Sequence, residues 1–175
     1  IHGKYATLLE NVSILFIPIV NVDGHERFSA YNRINQNGPK EMGWRCTANN
    51  LNMNRDFLKA DTKEMRHWLK LFDKWMPEFF MDIHTTDGAD YQYVITYAVE
   101  NFGNMDSGLT SFIDSVYLPD VMAGMELDSC PMFPYVGFRR WHDPRSGLRR
   151  RPASPRFSQG YTSARNRPGI LVETH

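Results

Sequence analysis

Between Asp61 and Pro77 the apolar residues Met65, Trp68, Leu69, Phe72, Trp75 and Met76 recur with the spacing of one helical face. Asp61 stands where an N-cap belongs, with Glu64 three residues on, and Pro77 stops the stretch because it has no N–H to continue the ladder. The flanking apolar runs are too short for helices of this kind and read as strands. Residues 12 to 20, VSILFIPIV, suit a strand buried on both faces, and EFFMDIH, YQYVITYAV and RPGILVETH supply three more. Strand, helix, strand in that order predicts an α/β fold, with a mixed, largely parallel twisted sheet and helices on both faces.

The segments between these elements are informative in their own way. Asp-Gly in NVDG is a turn signal, and residues 24 to 50 then carry Gly, Asn, Pro and Gln without a period. Long irregular segments inside compact domains are usually functional. GLTSFIDSV reads as a weak helix ending before Pro119, and residues 137 to 156, GFRRWHDPRSGLRRRPASPR, as a solvated surface loop. A chain of 175 residues holds one sizeable core, so residues 1–175 are taken as a single domain.

Bulk electrostatics excludes some partners. The 20 Lys and Arg residues balance the 20 Asp and Glu residues, which argues against nucleic acid or a membrane surface as the partner. No apolar run approaches the ~18 residues of a membrane span. Cys46 and Cys130 are too few for a disulfide scaffold and leave the compartment open.

Candidate chemistry gathers at strand ends. His84 closes an apolar strand, where crevices open in α/β sheets, and is either a metal ligand or a satisfied strand-end histidine. Asp82 is read as pointing to the other face. Glu173 ends GILVE, where a carboxylate is costly unless paired, metal-bound or protonated. It is either a tuned acid or base, or half of an ion pair with Arg165 or Arg167. Arg45, Asn54 and Arg55 lie on the loop between the first strand and the helix, where a guanidinium fork and a carboxamide suit a carboxylate. Singly, Asn54–Arg55 is a solvated turn; with His84 and Glu173 it suggests an anionic substrate held near a metal and a base. His25 and Glu26 are adjacent, cannot both face one metal from a strand, and read as turn chemistry.

The pieces IPIVNVDG, GWRCT, LNMNRDF, FMDIHTTDG and LVETH, in that order, resemble the zinc carboxypeptidase family along nearly the whole chain. The resemblance implies a Zn2+ cofactor and a peptide substrate with a free C-terminal carboxylate. It also implies roles: His84 as a zinc histidine, Arg45 polarising the scissile carbonyl, Asn54 and Arg55 clamping the terminal carboxylate, Glu173 as catalytic glutamate and Tyr161 as the mobile tyrosine. In an enzyme of this kind the arginine-rich segment, if it borders the cleft, would favour acidic peptides. Two rivals accompany this reading: an amidohydrolase of the succinylglutamate desuccinylase and aspartoacylase type, and an inactive peptide-binding homologue.

One departure from the family pattern shapes the expectation. The His-x-x-Glu motif that supplies the other zinc ligands is absent, since Tyr5 stands three residues after His2. IHGK resembles that region with its middle missing, and YATLLENV leaves no room between helix and strand. The expectation is therefore of omitted residues between His2 and Gly3 and within 8–11, with His2 the first zinc histidine and its partner glutamate in the gap.

Overall fold

The computed structural model describes residues 6–86, 88 and 91–174. In chain order the regular elements are α1 (Val22–Glu26), α2 (Lys63–Trp75), β1 (Phe80–Thr85), β2 (Ile95–Val99), α3 (Ser107–Phe112), α4 (Leu118–Leu127), β3 (Met132–Pro134), β4 (Gly137–Arg140), β5 (Asp143–Arg149), α5 (Ser158–Ala164) and β6 (Gly169–Thr174). Short 3-10 turns at Ala6–Glu10 and Met53–Arg55 and a π turn at Ile113–Tyr117 complete the set.

The main sheet has the order β1-β6-β2-β3, with β1 parallel to β6, β2 parallel to β3, and β2 antiparallel to β6. It is the mixed, largely parallel sheet that the pattern predicts. Residues opposite one another in a ladder share a face. Phe80, Asp82, His84, Leu171, Glu173, Thr96 and Ala98 therefore lie on one side, and Ile170, Val172, Ile95, Tyr97 and Val99 on the other. The second side packs Tyr97, Val99 and Ile170 against Ile113 and Leu118 from the α3–α4 region. On the first, Met65, Trp68 and Phe72 of α2 close over Met53, Phe57, Phe80 and Tyr161. One sheet thus carries a core on each face, as an α/β layer architecture requires.

Several local expectations change. The cap of α2 is Thr62 rather than Asp61: its hydroxyl accepts the Met65 N–H at 3.1 Å, and Met76 in the left-handed region ends the helix one residue before Pro77. The Asp61 carboxylate is instead paired with Lys59. The helix at Gly108 does not stop before Pro119. It runs through the π turn into α4, and the proline falls just after that wide turn, where the regular i to i−4 ladder is already interrupted. The arginine-rich stretch is not all loop, since β4 and β5 form an antiparallel hairpin within it.

The largest departure concerns residues 12 to 20. They form no strand and are exposed throughout, with Phe16 74% accessible. Ile17, Ile19 and Val20 border a shallow cleft with His67, Trp68 and Leu71 of α2. Apolar, β-branched composition encodes a preference for burial but not a pairing partner, and Pro18 removes one ladder donor from the middle of the run.

Asp56 is the polar hub beneath α2. It is 3% accessible and accepts the Asp61 N–H, the Thr62 N–H and the Thr62 hydroxyl at 2.8–2.9 Å. Burial pushes its carboxyl up, but these hydrogen bonds and the charge of Lys59 outweigh burial and hold it below its ordinary value. A depressed carboxylate contributes stability above its unfolded pKa of about 3.9 and loses it as pH falls through the folded value. Asp56→Asn is expected to cost about 2 kcal/mol at pH 7. It should also flatten the acid limb of a urea-midpoint against pH series relative to wild type; an unchanged limb would remove Asp56 from that role.

Candidate active site

The site is built where β1 and β6 end together. Parallel pairing puts His84 directly beside Glu173, with Thr96 of β2 opposite Glu173 on its other side. His84 and Glu173 are the last inward residues of their strands and Thr96 the first of the antiparallel β2, so the row lies at the mouth of the sheet rather than inside it. Glu173 is 8% accessible. Asp82, read from sequence as facing away, faces the same side as His84 because strand side chains repeat every second residue. Its Oδ2 lies 2.9 Å from His84 Nε2. Burial lowers the affinity of His84 for a proton, but the hydrogen bond and charge of Asp82, then the charge of Glu173, outweigh burial and Arg45 and raise it. With Nε2 held by Asp82, Nδ1 is the ring nitrogen left for a ligand, and a carboxylate behind a histidine is the usual way its orientation is fixed.

Arg45 reaches this row from the long loop after α1, close enough for its charge to act on His84. The loop is pinned at its root. Asn21 caps α1 through the Gly24 N–H at 3.1 Å and donates from Nδ2 to the Arg45 carbonyl at 3.4 Å, while the Trp44 N–H donates to the Gly24 carbonyl at 2.6 Å. His25 and Glu26, 2.7 Å apart on the exposed end of α1, are as local as expected, though in a helical turn.

Asn54 and Arg55 form a 3-10 turn that Asn52 caps by accepting the Asn54 N–H at 3.1 Å. Buried Met53 on one side and Asp56 and Phe57 on the other anchor the turn, leaving 54 and 55 half-buried. Arg55 Nη1 donates to its neighbour's carbonyl at 2.6 Å, and the guanidinium sits 4.6 Å from the Phe157 ring centroid. Burial, then Arg45 and Arg156, depress Arg55, while Tyr135 acts in the opposite sense. Arg45, Arg55 and Arg156 therefore form one cationic group, and none is in an ion pair with another described residue.

Arg156 and Tyr135 are the residues that sequence reading missed. Arg156 shares the Phe157 ring with Arg55, at 5.0 Å. Its segment is held by Glu100, a buried carboxylate whose Oε2 accepts the Ala153 N–H at 2.6 Å. Arginine richness was the available signal, but only this anchoring brings one of those arginines to the site. Tyr135 follows β3, its N–H bonded to the Tyr97 carbonyl at 2.7 Å, and had no sequence signal.

Tyr161 goes elsewhere. It packs with Phe57, Trp68 and Phe72, and its hydroxyl accepts from Arg165 Nη1 at 3.0 Å. Arg165 also binds Asp73 at 2.9 Å, so its ion pair is with α2 and not with Glu173. His2 lies outside the described residues.

The loop carrying Arg45 also walls a cavity of about 430 Å³, bordered by Arg33, Arg45, Asn32, Gln36, Trp44 and Cys46. Burial, then Arg45, lower the proton affinity of Arg33, with Cys46 opposing. Both cysteines are free.

The zinc carboxypeptidase family model matches residues 2–102, more than half of the chain. The chain belongs to the zinc carboxypeptidase family. The match contains Arg45, Asn54, Arg55 and His84, and Glu173 is tied to it by the β1–β6 register. No curated protein and no solved structure gives a significant match. The family normally binds Zn2+, yet among the described residues no three His, Cys, Asp or Glu side chains converge as a metal would need. The described residues alone therefore do not make up a zinc site. Among them, too, no helix is long and apolar enough to cross a membrane.

The loop's anchorage predicts a contrast between two glycines. A Cβ on Gly24 would lie 2.5 Å from the Trp44 carbonyl, whereas one on Gly124 meets nothing within 4 Å. Gly24→Ala is expected to destabilise by roughly 1–3 kcal/mol, and Gly124→Ala to stabilise by up to about 1 kcal/mol. Urea unfolding of the two variants checks the pair, and equal effects would contradict the close packing of α1 on the Arg45 strand of the loop.

Proposed function

We propose that this zinc carboxypeptidase family member hydrolyses the C-terminal peptide bond of peptides, with residues 1–175 as one catalytic domain from which segments are missing. The observation that carries the reading is a buried carboxylate beside a histidine at one sheet mouth, with Arg45 near enough for its charge to act both on that histidine and on Arg55. Asn54 and Arg55 would take the terminal carboxylate, Arg supplying a planar fork and Asn a further donor. The scissile carbonyl then falls between Arg55 and the His84–Glu173 row, within reach of Arg45, whose charge would stabilise the developing oxyanion. Glu173 would take a proton from the attacking water and return it to the leaving amine. Its low exposure supports that role. Arg156 adds charge beside Arg55 and reinforces the hold on an anionic terminus. His84 and His2 are the proposed zinc histidines, the remaining ligand lying outside the described residues.

Three outcomes are expected. Glu173→Gln should lower turnover of a C-terminally free peptide by 10²-fold or more while the unfolding midpoint stays near wild type. Arg55→Ala should weaken binding of free-acid peptides by on the order of 2 kcal/mol and leave their amidated counterparts little changed. Metal analysis should find one zinc per chain, lost in His84→Ala. Turnover of acyl-amino acids but not of peptides would select the amidohydrolase alternative. Peptide binding without turnover in zinc-loaded protein would select the inactive homologue.

A further inference from the structure

The cavity behind Arg45 is not used by the chemistry above, and its wall is unusual in composition. Arg33 is half-buried and is in no ion pair with another described residue, although the chain carries as many acidic residues as basic ones. A guanidinium partly withdrawn from water without a counter-charge is unfavourable, and a second guanidinium, Arg45, on the same wall adds to that. The remaining border is amide, indole and thiol from Asn32, Asn35, Gln36, Trp44 and Cys46. Among the described residues Trp44 Nε1, a donor, is buried without a hydrogen-bond partner; the likewise unpartnered Gln36 Oε1 is an acceptor and offers an anion nothing. Such a wall suits an anion with hydrogen-bonding capacity and not an apolar side chain.

The wall is also held in shape. Ser29 and Met42 bridge the neck of the loop with N–H···O bonds of 3.1 and 3.2 Å. Asn32 Nδ2 ties it further by donating to the Arg27 and Met42 carbonyls at 2.6 and 2.9 Å. At the tip Gln36 Nε2 donates to the Thr86 carbonyl, next to the end of β1. A recognition surface preorganised in this way loses little entropy on binding.

Its position assigns it to a particular part of a substrate. Arg45 borders the cavity together with Arg33, while Arg55 does not border it. Arg45 is thus the group that shares the cavity wall with Arg33 and also acts by its charge on Arg55. If Arg55 holds the terminal carboxylate and Arg45 the scissile carbonyl, whatever enters the cavity precedes that bond. We propose that this cavity is a subsite for an acidic side chain on the residue at the amino side of the scissile bond, with the Arg33 guanidinium as its main anchor. The placement rests on the carboxypeptidase reading; the anion site itself does not.

Four short peptides test it, ending in a free acid or an amide and carrying Glu or Gln at the penultimate position. Equilibrium binding to the full chain is measured by calorimetry at fixed low salt. Wild type should prefer Glu to Gln by about tenfold or more, the scale of one charge-assisted hydrogen-bonded pair. Arg33→Gln should reduce that preference to about twofold or less and keep the preference for a free acid over an amide. Arg33→Lys, which retains the charge, should keep most of the Glu preference and so separates loss of the anchor from loss of fold. Arg55→Ala should do the reverse of Arg33→Gln, sparing the Glu preference and losing the dependence on a free C-terminus. Equal binding of Glu and Gln peptides by wild type, or an undiminished Glu preference in Arg33→Gln, would overturn the proposal. Selection of Glu through Arg33 with indifference to C-terminal amidation would sink the exopeptidase reading and leave the anion site standing.

Discussion

The parallel ladder between β1 and β6 is the constraint on which the site depends. Its register sets Phe80 beside Gly169 and, four residues further along both strands, His84 beside Glu173. A slip of one residue would turn one of the two side chains to the opposite face, because strand side chains alternate. The register is defended by burial on both sides of the sheet: Phe80 enters the α2 core, and Ile170 enters the α3–α4 core at 1% accessibility. Packing of residues far from the mouth therefore fixes which ionisable groups meet there.

Around that pair the cations come from loops, and each loop is tied through its own backbone N–H or C=O groups rather than through its guanidinium. Asn21 and Gly24 hold the Trp44–Arg45 backbone, Asn52 caps the Asn54–Arg55 turn, and Glu100 holds the segment leading to Arg156. This division of labour leaves the guanidinium groups without a carboxylate partner among the described residues, although Arg55 Nη1 donates to the Asn54 carbonyl. Arginines already satisfied by carboxylates would have little left to offer a substrate, whereas those at this mouth remain available to an anion.

The zinc carboxypeptidase resemblance was legible in the order of five short segments, and the family match covers the stretch holding five of the expected site residues, His2 among them. Periodicity located α2, β1, β2 and β6 to within a few residues, since burial of one helical face or a whole strand leaves a local record. It failed for residues 12 to 20, whose apolarity says nothing about a pairing partner. Tyr161, which the resemblance offers as the mobile tyrosine, carried no periodic signal for where its ring packs. Helix α5 instead turns that ring into the aromatic cluster with Trp68 and Phe72.

Sequence by itself determined the kinds of groups available: a histidine and a glutamate at the ends of apolar strands, and arginines on the loops before and after. Those are local properties, set by which residues tolerate burial and which do not. Only the tertiary structure decided which of them meet. Strand pairing joins positions 84 and 173, Glu100 draws the arginine-rich segment to Arg55, and a bridged loop brings Arg33 onto one cavity wall with Arg45. Such contacts span long separations along the chain, and their partners are chosen by packing of the whole, which no local pattern records.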